Sequence, residues 1–217
     1  MKLEPMTGSD RSHQQFILRR LHSATGIFPI GAYLFVHIFF ENTFVLAGGE
    51  SFAGLVRGIG TIPRQVLLAV EILLIWAPLL FHSAYGFVRV GQAELDNPLR
   101  NDYLGAWLYT LQRLSGVIAF FFIGWHVWST RMQYYFFHTE ITYAYMHGMM
   151  SSPLVFAWFV IGVLACVFHF TNGIWTFCIT WGITVGQRVQ RATRRFALVF
   201  FVFMYGTALA IMLAFRT

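Results

Sequence analysis

The chain has 217 residues, of which 57% are hydrophobic, 18% aromatic and only 11% charged. A soluble domain carries about 25% charged residues, so this composition excludes one. The formal charge is +6 and the pI about 9.7, but the basic residues lie between apolar segments and form no polar face for nucleic acid. They read as a membrane-topology signal.

The first 20 residues are polar, and no small-residue cleavage site follows the first apolar run. That run reads as a retained span and not as a signal peptide. A helix crosses a bilayer with about 20 apolar residues, and five stretches qualify: 23–46, 63–89, 111–134, 153–183 and 196–215. Pro63 and Pro153 stand in a first turn, where a missing N–H is harmless. Pro29 and Pro78 fall inside the first two stretches and predict kinks. His13 belongs to the polar tail. In the third connection, His138 and His147 lie among Tyr134, Tyr135, Tyr143 and Tyr145, as in an interfacial segment. The Arg188–Arg195 run reads first as a topology signal that contacts anionic lipid, with docking of a further subunit as a second role.

Of the 15 Lys and Arg residues, 11 (Lys2 and Arg100 among them) fall on the N-terminal side, and Arg57, Arg64, Arg131 and Arg216 on the other. The asymmetry predicts a cytoplasmic N-terminus and an external C-terminus. The expected architecture is an all-α integral membrane protein, residues 1–217 forming one membrane domain with five transmembrane helices. Cys166 and Cys178 lie in the fourth stretch without a CxxC or CxxCH pattern, and read as apolar filler. No iron–sulfur cluster, covalent haem or GxGxxG dinucleotide site is encoded.

Four of the five stretches each contain one deep histidine: His37, His82, His126 and His169. An ionisable residue inside a membrane is costly and points to function. The spacing suggests a duplication. His37 and His126 are 89 residues apart, and His82 and His169 are 87 apart. R-L-H-S-A-T-G precedes His37 as R-L-S-G precedes His126, and H-S-A-Y-G at 82–86 matches H-F-T-N-G at 169–173. The first two helices thus resemble the next two as a parallel repeat, with the fifth outside it.

Antiparallel topology sorts the histidines by depth. His37 and His126 lie about 21–22 Å from the cytoplasmic end of their helices, at 1.5 Å per residue. His82 and His169 lie roughly 24–28 Å from the external end. Two pairs at two levels result, each suited to holding one haem iron between two imidazoles. Such a centre has no open position for oxygen and serves electron transfer. Zinc fits less well, because the pairs sit about one to two turns or more apart and no carboxylate or thiolate completes a site. Gly86 and Gly173, four residues past His82 and His169, leave room for a flat macrocycle.

L-R-R-L-H-S-A-T-G-I-F-P-I-G (18–31) leading to His37, L-Q-R-L-S-G-V (111–117) and H-F-T-N-G-I-W (169–175) resemble the di-haem cytochrome b membrane anchor of bacterial succinate dehydrogenases and fumarate reductases. The resemblance runs from about Arg19 to Met212. It implies two b haems, His82 and His169 ligating the proximal one and His37 and His126 the distal. It implies FAD and iron–sulfur clusters held only by two cytoplasmic partner subunits, quinone (often menaquinone) near the distal haem, and a place in the bacterial cytoplasmic membrane. Some fumarate reductases have Glu two residues before the last ligand; Val167 stands there, so the proton route that Glu serves is not expected. The runners-up are a di-haem subunit of a formate- or hydrogen-linked dehydrogenase and a haem-free membrane anchor.

Glu71 is expected to be the only acidic residue well inside a span, 11 residues before His82 and near the distal level. It is a candidate for proton exchange with quinone, against an interhelical hydrogen bond to Ser, Thr or backbone. Arg20, His22, Ser23 and Arg113, at the cytoplasmic ends of the first and third helices, suit proximal haem propionates or lipid phosphate. Arg131, one turn past His126, suits a distal propionate.

Overall fold

The computed structural model describes residues 8–92 and 104–217; Lys2 and Arg100 of the charge asymmetry lie outside them. Five helices are long and apolar enough to cross a membrane: Ser12–Ala47, Arg64–Gly91, Leu104–Phe137, Pro153–Thr180 and Gln187–Ala214, the first to fifth spans. Among the described residues there is no strand. The chain is an all-α, multi-pass membrane protein.

Most of these helices outrun the apolar stretches that announce them. The first is already helical at Gly8, and the fifth begins at Gln187, nine residues before Phe196. Hydropathy marks only the length that must shed water. Backbone hydrogen bonding continues through polar residues on either side.

Both internal prolines disturb their helices. Phe28, just before Pro29, is extended (φ −129°, ψ 120°), so the first span is broken by a kink within Gly26–Gly31. Before Pro78 a π turn, Ile72–Trp76, shifts the ladder so that the Ala77 N–H bonds to the Ile72 carbonyl. Proline has no N–H and crowds the preceding turn, and a kink or a widened turn accommodates both defects. The first span ends at Gly48, whose φ of 102° favours glycine.

Two short helices, Gly49–Gly60 and Tyr143–Ser151, close the same end of the bundle. The second of these replaces the expected loop. Met146 and Met150 enter the core, and Tyr143 donates to the Ala214 carbonyl (3.2 Å) while the His147 ring donates to that of Phe215 (2.9 Å). Those are carbonyls that the end of the fifth span leaves unpaired. The core joins Ile38, Phe122, Phe159, Val167, Met204 and Phe215 from the first, third, fourth and fifth spans. The fourth span is central, packed between the third and the fifth. The second leans mainly on the first, and among its residues only Glu71 is buried. Leu73, Leu74 and Leu80 of the second span, and Val199 and Val202 of the fifth, are exposed, as suits hydrocarbon contact.

Candidate functional site

The four deep histidines meet in two pairs. His82 and His169 face each other across the second and fourth spans, with ring centroids 6.0 Å apart and planes at 89°. His37 and His126 do so across the first and third, again at 6.0 Å, with planes at 68°.

The first pair is held by matching pieces of the duplicated frame. The His82 Nδ1 lies 2.9 Å from the His22 carbonyl, and the His169 Nδ1 lies 2.9 Å from the Gln112 carbonyl. A carbonyl only accepts, so each Nδ1 carries the proton and each Nε2 keeps its lone pair. One turn after those carbonyls stand Gly26 and Gly116. A Cβ on Gly26 would lie 2.5 Å from His82 Cε1, and one on Gly116 2.8 Å from His169 Cε1. Each glycine is a notch that admits one imidazole. His22 and Gln112 are 90 residues apart, as are Gly26 and Gly116, so the repeat is structural as well as textual. Gly86 and Gly173, expected to clear a macrocycle, face His22 and Gln112 instead (nearest atoms 3.3 and 3.6 Å from a Cβ).

Gln112 is further fixed. It donates to the His169 carbonyl (2.9 Å) and accepts from Asn172 (2.7 Å), while the Ser115 hydroxyl lies 3.4 Å from His169 Nδ1. Gln112, Ser115 and Asn172 all occur in the two sequence motifs, but their polarity alone did not separate them from helix-surface residues.

The second pair has different partners. His37 Nδ1 donates to the Glu41 carboxylate at 2.6 Å, one turn on, with the Tyr33 hydroxyl at 3.5 Å. The His126 Nδ1 is buried with no hydrogen-bond partner, its ring stacked on Phe122 (5.7 Å, 14°) and edge-on to Phe159. Glu41 is a second acidic residue within a span. Its place near the end of an apolar stretch disguised it as a boundary residue.

Glu71 joins this level. It is 8% exposed and pairs with the Arg131 guanidinium through both oxygens; Tyr135 donates to it at 3.2 Å, and Arg131 to Tyr135 at 3.0 Å. The partner is thus a charged residue of the third span, not the Ser, Thr or backbone group anticipated for an interhelical bond. Arg131 turns to Glu71, and its neighbour Tyr135 lines a cavity with Arg64, Tyr134, His138 and Glu140.

At the opposite end, the His22 ring stacks on His82 (centroids 4.1 Å, 13°). Arg20 lies over Trp181 at 4.8 Å, Ser23 is half-buried, and Arg113 stays against Tyr109 of its own helix (3.2 Å). Three buried nitrogens here, Arg20 Nε, His22 Nδ1 and Trp175 Nε1, have no hydrogen-bond partner. Buried donors left unpaired are expensive, and a carboxylate-bearing ligand would satisfy them. Trp175 was not singled out from sequence, because an aromatic in an apolar span signals only packing.

These residues fit b-type haem. Two metal–imidazole bonds of about 2.0–2.1 Å plus the two half-rings sum to roughly 6 Å, the spacing of both pairs. Three of the four imidazoles have an Nδ1 held by an oxygen acceptor, and the unpaired nitrogens of Arg20, His22 and Trp175 lie toward the His82–His169 end, where they would suit haem propionates.

The comparisons agree with the architecture. The family model described as "Succinate dehydrogenase/Fumarate reductase transmembrane subunit" matches residues 96–210, just over half of the chain. The "Succinate dehydrogenase cytochrome b558 subunit" of Bacillus subtilis (strain 168) is 36% identical over 203 residues, covering 94% of this chain and 98% of the relative. The chain therefore belongs to the family of succinate dehydrogenase/fumarate reductase transmembrane subunits.

Proposed function

We propose that this chain is the membrane anchor and electron-transfer subunit of a succinate:quinone oxidoreductase of the bacterial cytoplasmic membrane. Its flavoprotein and iron–sulfur partners, holding FAD and the clusters, would sit on the cytoplasmic side with the N-terminus. His82 and His169 would hold one b haem proximal to them, and His37 and His126 a distal one. Bound there, the two haems supply one-electron transfer between the partner's clusters and membrane quinone, menaquinone being the expected form. The observation that carries this reading is the pair of facing imidazole pairs, each 6.0 Å across.

The residues around the ligands divide the work. The carbonyls of His22 and Gln112 orient the proximal imidazoles, and Gly26 and Gly116 admit them. Arg20, His22 and Trp175, with Ser23 and Arg113 nearby, would bind propionates. Glu71 would exchange protons with quinone, with Arg131 holding its carboxylate and Tyr135 linking it to the cavity beside Arg64. The Arg188–Arg195 run would meet anionic lipid.

Purification of the whole complex tests the reading. Two b-type components in a reduced-minus-oxidised spectrum, two haems per chain and co-purifying flavin and iron–sulfur subunits are expected; a haem-free preparation overturns it. Glu71→Gln is expected to lower quinone reductase activity with haem content intact, and unchanged turnover would remove Glu71 from the chemistry. Gly116→Leu is expected to cost one haem, because the added side chain occupies the place of the His169 ring; full haem content would show that the notch is not needed.

A further inference from the structure

We infer that Glu41 sets the redox asymmetry of the two haem sites, as a positioning residue that makes His37 a stronger electron donor than the other three ligands. The inference rests on the bis-histidine reading above.

The four imidazoles differ in what their Nδ1 atoms meet. His82 and His169 each donate to a neutral backbone carbonyl at 2.9 Å. His126 has no partner. His37 alone of the four donates to a carboxylate, at 2.6 Å. Charge-assisted hydrogen bonds are shorter and about twice as strong as neutral ones. A carboxylate accepting the outer N–H of a metal-bound imidazole pushes electron density through the ring and raises ligand basicity. Greater donation favours the ferric over the ferrous state.

The carboxylate's own charge acts in the same direction. Glu41 is one helical turn from His37, and its side chain is 30% exposed, so solvent weakens that field without removing it. Among the described residues the one ion pair of Glu41 is that with His37, and Tyr33 offers only a hydroxyl, at 3.5 Å from the same Nδ1. Arg131, a basic residue of this level, is engaged with Glu71. Both effects therefore lower the potential of the His37–His126 site against the His82–His169 site. Nothing in the duplicated frame supplies a counterpart, since the residue four past His126 is Thr130, whose hydroxyl donates to the His126 carbonyl (2.7 Å).

The test is redox titration of the two b-type components in the purified complex, wild type beside Glu41→Gln and Glu41→Ala. Gln keeps an acceptor oxygen and removes the charge. One midpoint potential is expected to rise in both variants, by about tenfold in the oxidised-to-reduced equilibrium constant, or about 59 mV for one electron, while the other component stays in place. A potential unmoved in Glu41→Gln, or equal movement of both components, overturns the inference. If Glu41→Ala loses haem, Glu41→Gln still decides. A wild-type complex without two b components would instead defeat the haem reading itself, so the two failures are distinct.

Discussion

A complex carrying His169→Ala is expected to show one b-type component where the wild type shows two, with half the haem per chain. The fourth span would survive the change, since His169 is only half-buried and Gln112 and Asn172 still bind each other across the third and fourth spans. Haem retention would not, because one imidazole would remain where two are needed for six-coordinate iron. The sharper version uses double variants. If His82 and His169 share one group, His82→Ala/His169→Ala removes a single component, as either change does alone. His126→Ala/His169→Ala, across the pairs, removes both. Loss of both components from the first double variant, with the complex still assembled, would overturn the pairing. Additivity across pairs and none within a pair is the behaviour of two independent sites.

The same experiment separates two roles that the frame assigns to neighbouring residues. Gly116 acts through His169 by leaving room, and Gln112 by holding its Nδ1 proton. Removal of a ligand abolishes a site, whereas loss of such supporting contacts weakens a metal site about 10–100-fold. Gly116→Leu is the exception, because its side chain physically fills the ring's position.

How much of this was legible from sequence depended on what each residue had to do. The spans were legible because avoiding water over about 30 Å imposes a long apolar run, and the histidines because a titratable group in such a run has no cheap structural reason. Their meeting in twos followed from counting residues along helices of known rise. The glycine notches were not separable in the same way. Gly86 and Gly173 lie on the histidines' own helices and were noticed by their i+4 spacing, whereas Gly26 and Gly116 reach the rings from neighbouring helices. Intrahelical periodicity carries no information about which notch faces which ring.

Carboxylates show the same limit. Glu71 stood out by depth alone, yet its partner Arg131 is 60 residues away on the third span. Charge counting placed that arginine on the external side as a topology residue, and proximity to His126 suggested a haem role. Its pairing depends on helix rotation, which no local pattern fixes. Glu41 failed for a different reason. It lies four residues from His37, well within reach of an intrahelical pattern, but the end of a hydrophobic stretch is where acidic residues are ordinarily harmless. Position suppressed a signal that spacing supplied.

The Glu71–Arg131 pair also allows stability and chemistry to be pulled apart. Arg131→Met is expected to destabilise the complex by about 3–5 kcal/mol, the cost of leaving one charge of a buried pair without its partner. Glu71 is the member that suffers, because its side chain is 10% exposed against 27% for Arg131. Glu71→Gln should cost less: the amide keeps a hydrogen bond to Arg131, and the guanidinium has more access to solvent and the rings of Tyr134 and Tyr135 beside it. The double variant Glu71→Leu/Arg131→Met removes both charges and restores an apolar contact, so its thermal stability should return towards wild type. Quinone turnover should not return with it. A structural pair predicts that stability and turnover recover together in the double variant. A proton-exchanging Glu71 predicts recovery of the first and persistent loss of the second. Thermal denaturation followed by the haem absorbance, beside quinone reductase assays on the same four preparations, decides between them. Full recovery of turnover in the double variant would leave Glu71 as a helix-locking residue.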